Sequence, residues 1–103
     1  MQILTDYQGR QIRLTTERLA HILEHPEMAT MEAAICTALQ QPQVVRRSRT
    51  DSNVYLYYQH QAETMVGAKW LCVVVKLLPD DAFVITAYLT DKLKQGEPQW
   101  PKP

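Results

Sequence analysis

The first residues of the chain alternate between apolar and polar positions around a polar turn. Residues 3–5 and 12–14 carry the alternation, and the sequence Asp-Tyr-Gln-Gly lies between them at positions 6–9. Glycine readily adopts the positive φ that a tight hairpin turn requires. The pattern therefore predicts an N-terminal β-hairpin with Gly9 in its turn.

Between this hairpin and Pro42 the apolar residues recur at helical spacing. Thr15 or Thr16 is the expected N-cap of a first helix, because a threonine hydroxyl can accept a hydrogen bond from a backbone N–H of the first turn. Pro26 should end or bend that helix, since the residue before a proline avoids the helical region. A second helical segment is expected over residues 30–39 and ends before Pro42.

The remaining apolar segments predict four strands and a C-terminal tail. Polar turns at residues 50–53 and 79–82 join them in pairs. The expected fold is α+β, a single domain over residues 1–103 in which the N-terminal β-hairpin and two helical segments pack on a four-stranded antiparallel meander. The strands are expected at residues 44–49, 54–58, 69–78 and 83–90, and residues 94–103 form a wrapped or loose tail.

The pairing of the last two strands decides which side chains share a face of the sheet. If Leu78 pairs with Phe83, alternation places a fully apolar face against the helices and a row of hydroxyl groups on the opposite face. Threonine is also common in half-solvated strands for its propensity alone. The expected helix-covered face holds Trp70, Cys72, Val74, Phe83, Ile85, Ala87 and Leu89, and the opposite face holds Leu71, Val73, Val75, Thr86, Tyr88 and Thr90.

Lys76 ends the apolar run of the third predicted strand. The same register puts its side chain beside Ile85 on the core-facing side. A slip of one residue would move it to the other face, so its place stays open.

Composition and charge narrow the function classes. Apolar residues make up 46% of the 103 residues, and 11 basic side chains balance 11 acidic ones. A zero net charge removes the strongest general argument for nonspecific binding to nucleic acids or membranes. Cys36 and Cys72 fit no zinc-ligand spacing and are expected to be reduced, buried thiols. The chain has no apolar stretch near the ~20 residues of a membrane span and no signal-peptide pattern, so a cytoplasmic protein without membrane contact is expected.

His21 and His25 lie one helical turn apart and project from the same face of the first helix. This spacing can bind zinc, but no third ligand is evident, and no metal site is predicted. A pair of imidazoles also suits proton transfer near neutral pH. His25 is equally explained as a residue at a helix C-terminus, where the helix dipole favours it.

Arg46, Arg47 and Arg49 form a basic cluster and are the best candidates for binding an anion. Tyr57 and Tyr58 lie on the expected partner strand, and arginines beside aromatic rings can hold phosphates and stack on bases. Alternation would place Arg47 and Arg49 on one face and Arg46 on the other. Arginines on a strand next to a turn also protect sheet edges against aggregation, which leaves a structural explanation open.

Five segments in consistent order carry a resemblance to a known family. They are RLTTERLAHILEHPEM at residues 13–28, LQQP at residues 39–42, the Tyr57-Tyr58 strand, WLCVVVK at residues 70–76 and FVITAYLT at residues 83–90. Together they resemble the small phage-type nuclease group, which is affiliated with the barnase, EndoU, colicin and RelE folds.

The resemblance covers about residues 10–100 and implies a helical segment packed on a four-stranded antiparallel sheet. It also implies metal-independent RNA cleavage, and many members of the group look like toxins paired with a neighbouring antitoxin. The site residues that the resemblance implies are His21 and His25 on the helix, Lys76 on a strand, and Thr86, Tyr88 and Thr90 on the last strand.

The predicted function is therefore a metal-independent, toxin-like RNA endonuclease in which the 2′-hydroxyl attacks the adjacent phosphate. His21 or His25 would exchange protons, Arg47 would hold the phosphate, and Tyr88 with Thr86 would orient it. The expected partners are RNA and a small acidic antitoxin protein, with no cofactor. The alternative is a non-catalytic protein-interaction module that uses the same sheet face or a sheet edge.

Overall fold

The computed structural model describes residues 1–102, which form an α+β fold. Its two α-helices are α1 (Thr16–Leu23) and α2 (Glu32–Gln40), and a 3₁₀ turn at Pro26–Met28 lies between them. The strands are β1 (Gln2–Thr5), β2 (Gln11–Leu14), β3 (Val44–Arg47), β4 (Val54–Gln61), β5 (Lys69–Leu78), β6 (Asp81–Thr90) and β7 (Glu97–Trp100).

All seven strands belong to one mixed sheet in the order β1-β2-β6-β5-β4-β3-β7. β2 and β6 run parallel and meet at Arg13 and Phe83, whereas the other neighbouring strands are antiparallel. The prediction of a four-stranded meander is wrong, because β3 to β6 form only the middle of the sheet. Both edges of that meander expose unpaired backbone groups, and the N-terminal hairpin and the tail pair with them.

The described part of the predicted tail, residues 94–102, is wrapped on the sheet rather than loose and contains a strand; Pro103 lies outside the described residues. Residues 97–100 form β7, which pairs antiparallel with β3 through Arg47–Glu97, Arg46–Pro98 and Val45–Trp100. A proline lacks a donor for the ladder and is tolerated on an edge strand. Because of this proline, the sequence of residues 97–100 gives only a weak signal for a strand, although the strand forms.

The helices begin and end close to the predicted positions. The Thr15 hydroxyl accepts a hydrogen bond from the Arg18 backbone N–H at 3.1 Å, which confirms Thr15 as the N-cap of α1. His25 has extended backbone angles, as expected before Pro26. The second helix begins at Glu32 instead of residue 30.

Both helices pack on one face of the sheet, which we call the helix-covered face. Ile22 of α1 and Ile35 of α2 lie in the same buried cluster as Val73 of β5 and Ala87 of β6. The hairpin contributes its apolar side chains to this cluster as well. We call the opposite side of β3 to β6 the helix-free face; its buried side chains are Leu56, Tyr58, Cys72 and Val74.

A buried carboxylate ties the hairpin turn to the middle of the sheet. Asp6 accepts hydrogen bonds from the backbone N–H groups of Gln8 and Arg10, from the Arg10 guanidinium at 2.8 Å and from the Tyr57 hydroxyl at 2.6 Å. The ring of Tyr7 packs against that of Tyr57, with 6.1 Å between the centroids. The turn therefore reaches across the helix-covered face to β4.

The register of β5 and β6 differs from the predicted one. Leu78 pairs with Asp81 instead of Phe83, so the turn is tighter, and a bulge between Val74 and Val75 shifts the pairing once more. A bulge places two residues of one strand opposite one of its partner. The helix-covered face consequently holds Leu71, Val73, Val75, Val84, Ala87 and Leu89, and the helix-free face holds Trp70, Cys72, Val74, Lys76, Phe83, Ile85, Thr86, Tyr88 and Thr90.

The predicted face of the hydroxyl row is confirmed. The predicted faces of the β5 side chains are wrong, and so is that of Phe83 and Ile85, which lie on the helix-free face. Thr86, Tyr88 and Thr90 point away from the helices, but they share that face with Trp70 and Cys72. The prediction assumed strict alternation along both strands and therefore did not include the bulge.

Candidate functional site

Two rows of aligned side chains cross the helix-free face from β3 to β6. Residues that pair directly in antiparallel strands point to the same face. The first row ends in a cation on β3 and a hydroxyl on β6, whereas the second contains two phenols and a thiol. The first row is Arg46, Leu56, Val74 and Thr86, and the second is Val44, Tyr58, Cys72 and Tyr88.

Residues 91–96, which we call the crossing segment, run over this face from β6 to β7. Its backbone is fixed to two strands: the Lys94 N–H donates to the Tyr58 hydroxyl at 3.0 Å, and the Lys94 carbonyl accepts from the Arg46 guanidinium at 2.7 Å. Leu93 packs against the buried cluster of the face. The crossing segment therefore forms a wall above the sheet.

A cleft of ≈ 460 Å³ lies between this wall and the turn that joins β3 to β4. Its size is within the range of sites for small ligands. Its floor is apolar, and its rim carries two cations and several hydroxyl groups. The floor is formed by Val54, Leu56 and Val74, and the rim by Ser48, Arg49, Thr50, Thr86, Tyr88, Lys94 and Gln95.

The cleft is positively charged, because no acidic side chain of residues 1–102 lines it. The Arg49 guanidinium donates to the Gln95 amide oxygen at 3.2 Å, and the Lys94 ammonium lies 5.5 Å from the centroid of the Tyr88 ring. The zero net charge of the chain therefore conceals a local excess of positive charge. Such a site attracts anions.

Tyr88 lines the cleft, but its hydroxyl oxygen is not exposed there. This hydroxyl is buried and has no hydrogen-bond partner within residues 1–102, although the Cys72 thiol lies beside it. Burial raises the pKa of Tyr88 above its ordinary value, and burial also raises the pKa of the Cys72 thiol. Both groups are therefore protonated at neutral pH, and Tyr88 can donate a hydrogen bond.

The two helix histidines lie on the other side of the molecule from this cleft. His21 and His25 are exposed on α1 and beside it, with 6.5 Å between the ring centroids, and His21 Nδ1 lies 3.6 Å from the Glu24 carboxylate. Because α1 packs on the helix-covered face, the sheet separates both rings from Tyr88. The structure does not bring the histidines and the β6 hydroxyls into one site.

The three arginines of the basic cluster make different contacts. Arg46 lies on the helix-free face and holds the crossing segment, Arg47 pairs with Glu97 of β7, and Arg49 lines the cleft. Arg47 and Arg49 both line a cavity beside the turn between β3 and β4, and β3 itself ends at Arg47. Alternation does not extend into the turn that follows.

The other predicted site residues are held by neighbouring groups. Tyr57 is fully buried on the helix-covered face, and Tyr58 is buried beneath the crossing segment. Lys76 lies on the helix-free face, where its ammonium pairs with Asp51 at 2.8 Å. The Thr90 hydroxyl donates to the Lys92 carbonyl at 3.1 Å, outside the cleft.

The cleft residues that sequence analysis missed come from loops and from the tail. Lys94 and Gln95 belong to the predicted tail, and Ser48 and Thr50 belong to the turn between β3 and β4. The basic cluster indicated Arg49, and the hydroxyl pattern of the last strand indicated Thr86 and Tyr88. Only the pairing of β7 with β3 shows that the tail must cross the sheet.

Residues 1–102 contain neither a candidate metal-binding cluster nor a helix that could span a membrane. In this part of the chain, no three His, Cys, Asp or Glu side chains form a group that could hold a metal ion. The helices α1 and α2 have 8 and 9 residues, and neither has the length and apolarity of a membrane span.

Comparison with known proteins does not identify a family for this chain. The chain matches no family model, no curated protein and no solved structure. The resemblance to the phage-type nuclease group therefore stays a prediction, and function has to be argued from the cleft.

Proposed function

We propose that this protein is a metal-independent RNA endonuclease whose phosphate site is the cleft on the helix-free face. The observation that supports this is the convergence of Arg49, Lys94 and Tyr88 around one cleft. Cationic donors form strong hydrogen bonds with phosphate oxygens. Cations that are fixed before the substrate arrives also stabilise the charge of a transition state.

Cleavage would proceed by transfer within the RNA. The 2′-oxygen forms a bond to the adjacent phosphorus, the bond from phosphorus to the 5′-oxygen breaks, and the products are a 2′,3′-cyclic phosphate and a 5′-hydroxyl. The proton of the 2′-hydroxyl passes to solvent. Arg49 and Lys94 stabilise the negative charge of the phosphorane. Tyr88, whose hydroxyl has to turn from its buried position into the cleft, gives its proton to the departing 5′-oxygen and recovers one from solvent.

The cleft also contains groups that would orient the substrate. The hydroxyls of Ser48, Thr50 and Thr86 line the rim and can hydrogen-bond to phosphate and ribose oxygens. The apolar floor offers a surface for a ribose or base. In this scheme His21 and His25 take no part in proton transfer, because they lie beyond the sheet from Tyr88.

The direct test is incubation of the purified protein with total RNA in EDTA. We expect cleavage with 2′,3′-cyclic phosphate ends, and a loss of about 10²-fold or more in the Tyr88→Phe variant, since general acids contribute 10²–10⁴-fold. Tyr7→Phe is the matched control because it removes a phenol hydroxyl from the hairpin turn instead. No cleavage by the unsubstituted protein in EDTA would reject the proposal.

The alternative function, a non-catalytic protein-interaction module, has one supporting observation. Met65 and Val66, in the loop between β4 and β5, are 70% and 49% exposed. Exposed apolar side chains of this kind can mark a protein contact. A toxin-like endonuclease should arrest growth on expression, and Tyr88→Phe should relieve the arrest; a module would respond to Met65→Ser and be indifferent to Tyr88. Protection by a small acidic antitoxin protein should depend on the cleft.

A further inference from the structure

The C-terminal segment engages every arginine of the basic cluster. Residues 94–97 supply three different kinds of acceptor to these guanidinium groups. One acceptor is a backbone carbonyl, one is a neutral amide and one is a carboxylate. Arg46 donates to the Lys94 carbonyl at 2.7 Å, Arg49 to the Gln95 amide oxygen at 3.2 Å, and Arg47 to the Glu97 carboxylate at 2.8 Å through its Nε.

The Arg47–Glu97 pair lies beside a second cavity, of ≈ 390 Å³. This cavity and the cleft share the lining residues Ser48, Arg49 and Thr50, so the two adjoin across the turn between β3 and β4. The Glu97 side chain is 54% exposed and that of Arg47 is 37% exposed. Exposed ion pairs are weak, and a stronger anion can replace the carboxylate.

We propose that Arg47 forms a second phosphate subsite, which the Glu97 carboxylate occupies in the free protein. This inference rests on the proposed function of the cleft. It specifies the ligand as an RNA segment with two consecutive phosphates. A carboxylate and a phosphate present the same pair of oxygens to the planar guanidinium fork. Glu97 therefore stands where the oxygens of the second phosphate bind.

Opening this subsite requires only a side-chain movement. Gly96 is buried against β3, and a Cβ at this position would lie 2.7 Å from the Arg47 carbonyl oxygen. The close approach keeps the backbone of the crossing segment on β3. The side chain of Glu97 can rotate towards solvent while Lys94 stays in the wall of the cleft.

The experiment measures binding of fluorescein-labelled deoxyribotrinucleotides by fluorescence anisotropy. These probes lack the 2′-hydroxyl and cannot be cleaved by the proposed reaction. One probe has two phosphodiesters, and two matched probes carry a neutral methylphosphonate at one linkage or the other. We expect the doubly charged probe to bind about tenfold more tightly than the matched probes, a typical value for one phosphate contact to arginine.

Three variants separate the two subsites. Glu97→Gln should strengthen binding of the doubly charged probe about threefold to tenfold, and Arg47→Met should abolish its advantage over the matched probes. Arg49→Ala should weaken all three probes. Glu63→Gln, which removes the same charge from an exposed loop, controls for a general charge effect.

The results distinguish failure of the second subsite from failure of the cleft. Equal binding of all probes, no gain from Glu97→Gln, or an equal gain from Glu63→Gln would overturn the second subsite while the cleft stands. Absence of binding by any probe would overturn the cleft and the subsite together.

Discussion

The Lys94 ammonium lies 5.5 Å from the centroid of the Tyr88 ring, on the face of the sheet that the helices leave uncovered. This contact joins the last long strand to the segment that follows it. A cation above an aromatic face is attracted by the ring electrons. The tail is therefore part of the cleft, because it places a positive charge above the ring of Tyr88.

Removal of this charge should impair cleavage. We expect Lys94→Met to lower kcat/KM for a fluorogenic RNA by about 10²-fold, which is typical for the loss of one donor to a developing oxyanion. Lys92→Met removes an exposed lysine from the same segment and should change kcat/KM by less than about threefold. Equal losses in both variants would show that Lys94 acts only through the general charge of the tail.

The helix histidines test the location of the site. Because the sheet lies between α1 and the cleft, the double variant His21→Ala/His25→Ala should keep its cleavage rate within about threefold. Arg49→Ala should lose about 10²-fold in the same assay. A loss in the histidine variant comparable to that of Arg49→Ala, with unfolding unchanged, would move the reaction to the helix.

The buried carboxylate of Asp6 should dominate the stability of the hairpin turn. Asp6→Ala leaves two backbone N–H groups and the Tyr57 hydroxyl without their acceptor, so we expect a loss of about 3–5 kcal/mol in the free energy of unfolding. Tyr57→Phe removes one donor and should cost about 1–2 kcal/mol. Asp80→Ala, in an exposed turn, is the control. Urea unfolding measures all three, and a loss for Asp6→Ala no larger than for Asp80→Ala would contradict the assignment.

Tyr58 should make stability fall at alkaline pH. Burial raises the pKa of Tyr58 to about 12, above the value of about 10 for an unfolded tyrosine. A group with a raised folded-state pKa contributes stability that is fully present below the unfolded pKa and is lost as pH rises through the folded one. The free energy of unfolding should therefore decrease between pH 10 and 12. The decrease should be smaller in Tyr58→Phe, each variant being referred to its own value at pH 8; an unchanged decrease would contradict the role of Tyr58.

Local signals in the sequence predicted the elements that depend on local chemistry. Gly9 has a φ of 82° in the hairpin turn, and Thr15 caps α1, as the residue types alone indicate. The row of hydroxyls on β6 was also placed on the correct face. These features follow from interactions within a few residues along the chain.

The features that sequence analysis missed depend on contacts between distant segments. The bulge opposite Val74 and Val75 adds one residue, Ile85, to β6. It changes which β5 side chains share a face with the hydroxyl row, and no residue type indicates it. The tail becomes a strand because β3 offers it an edge, which is a property of the assembled sheet. Lys94 enters the cleft for the same reason, although nothing in its local sequence indicates a site.

The most direct measurement of the central claim is the position of bound RNA on the protein. A short 2′-O-methyl RNA cannot undergo attack by its 2′-oxygen, so it can be titrated into the ¹⁵N-labelled protein and followed by NMR chemical shifts. Binding in the cleft predicts the largest shifts at Arg49, Thr86, Tyr88 and Lys94, with α1 unaffected. Largest shifts at His21 and His25, with the helix-free face unchanged, would contradict it.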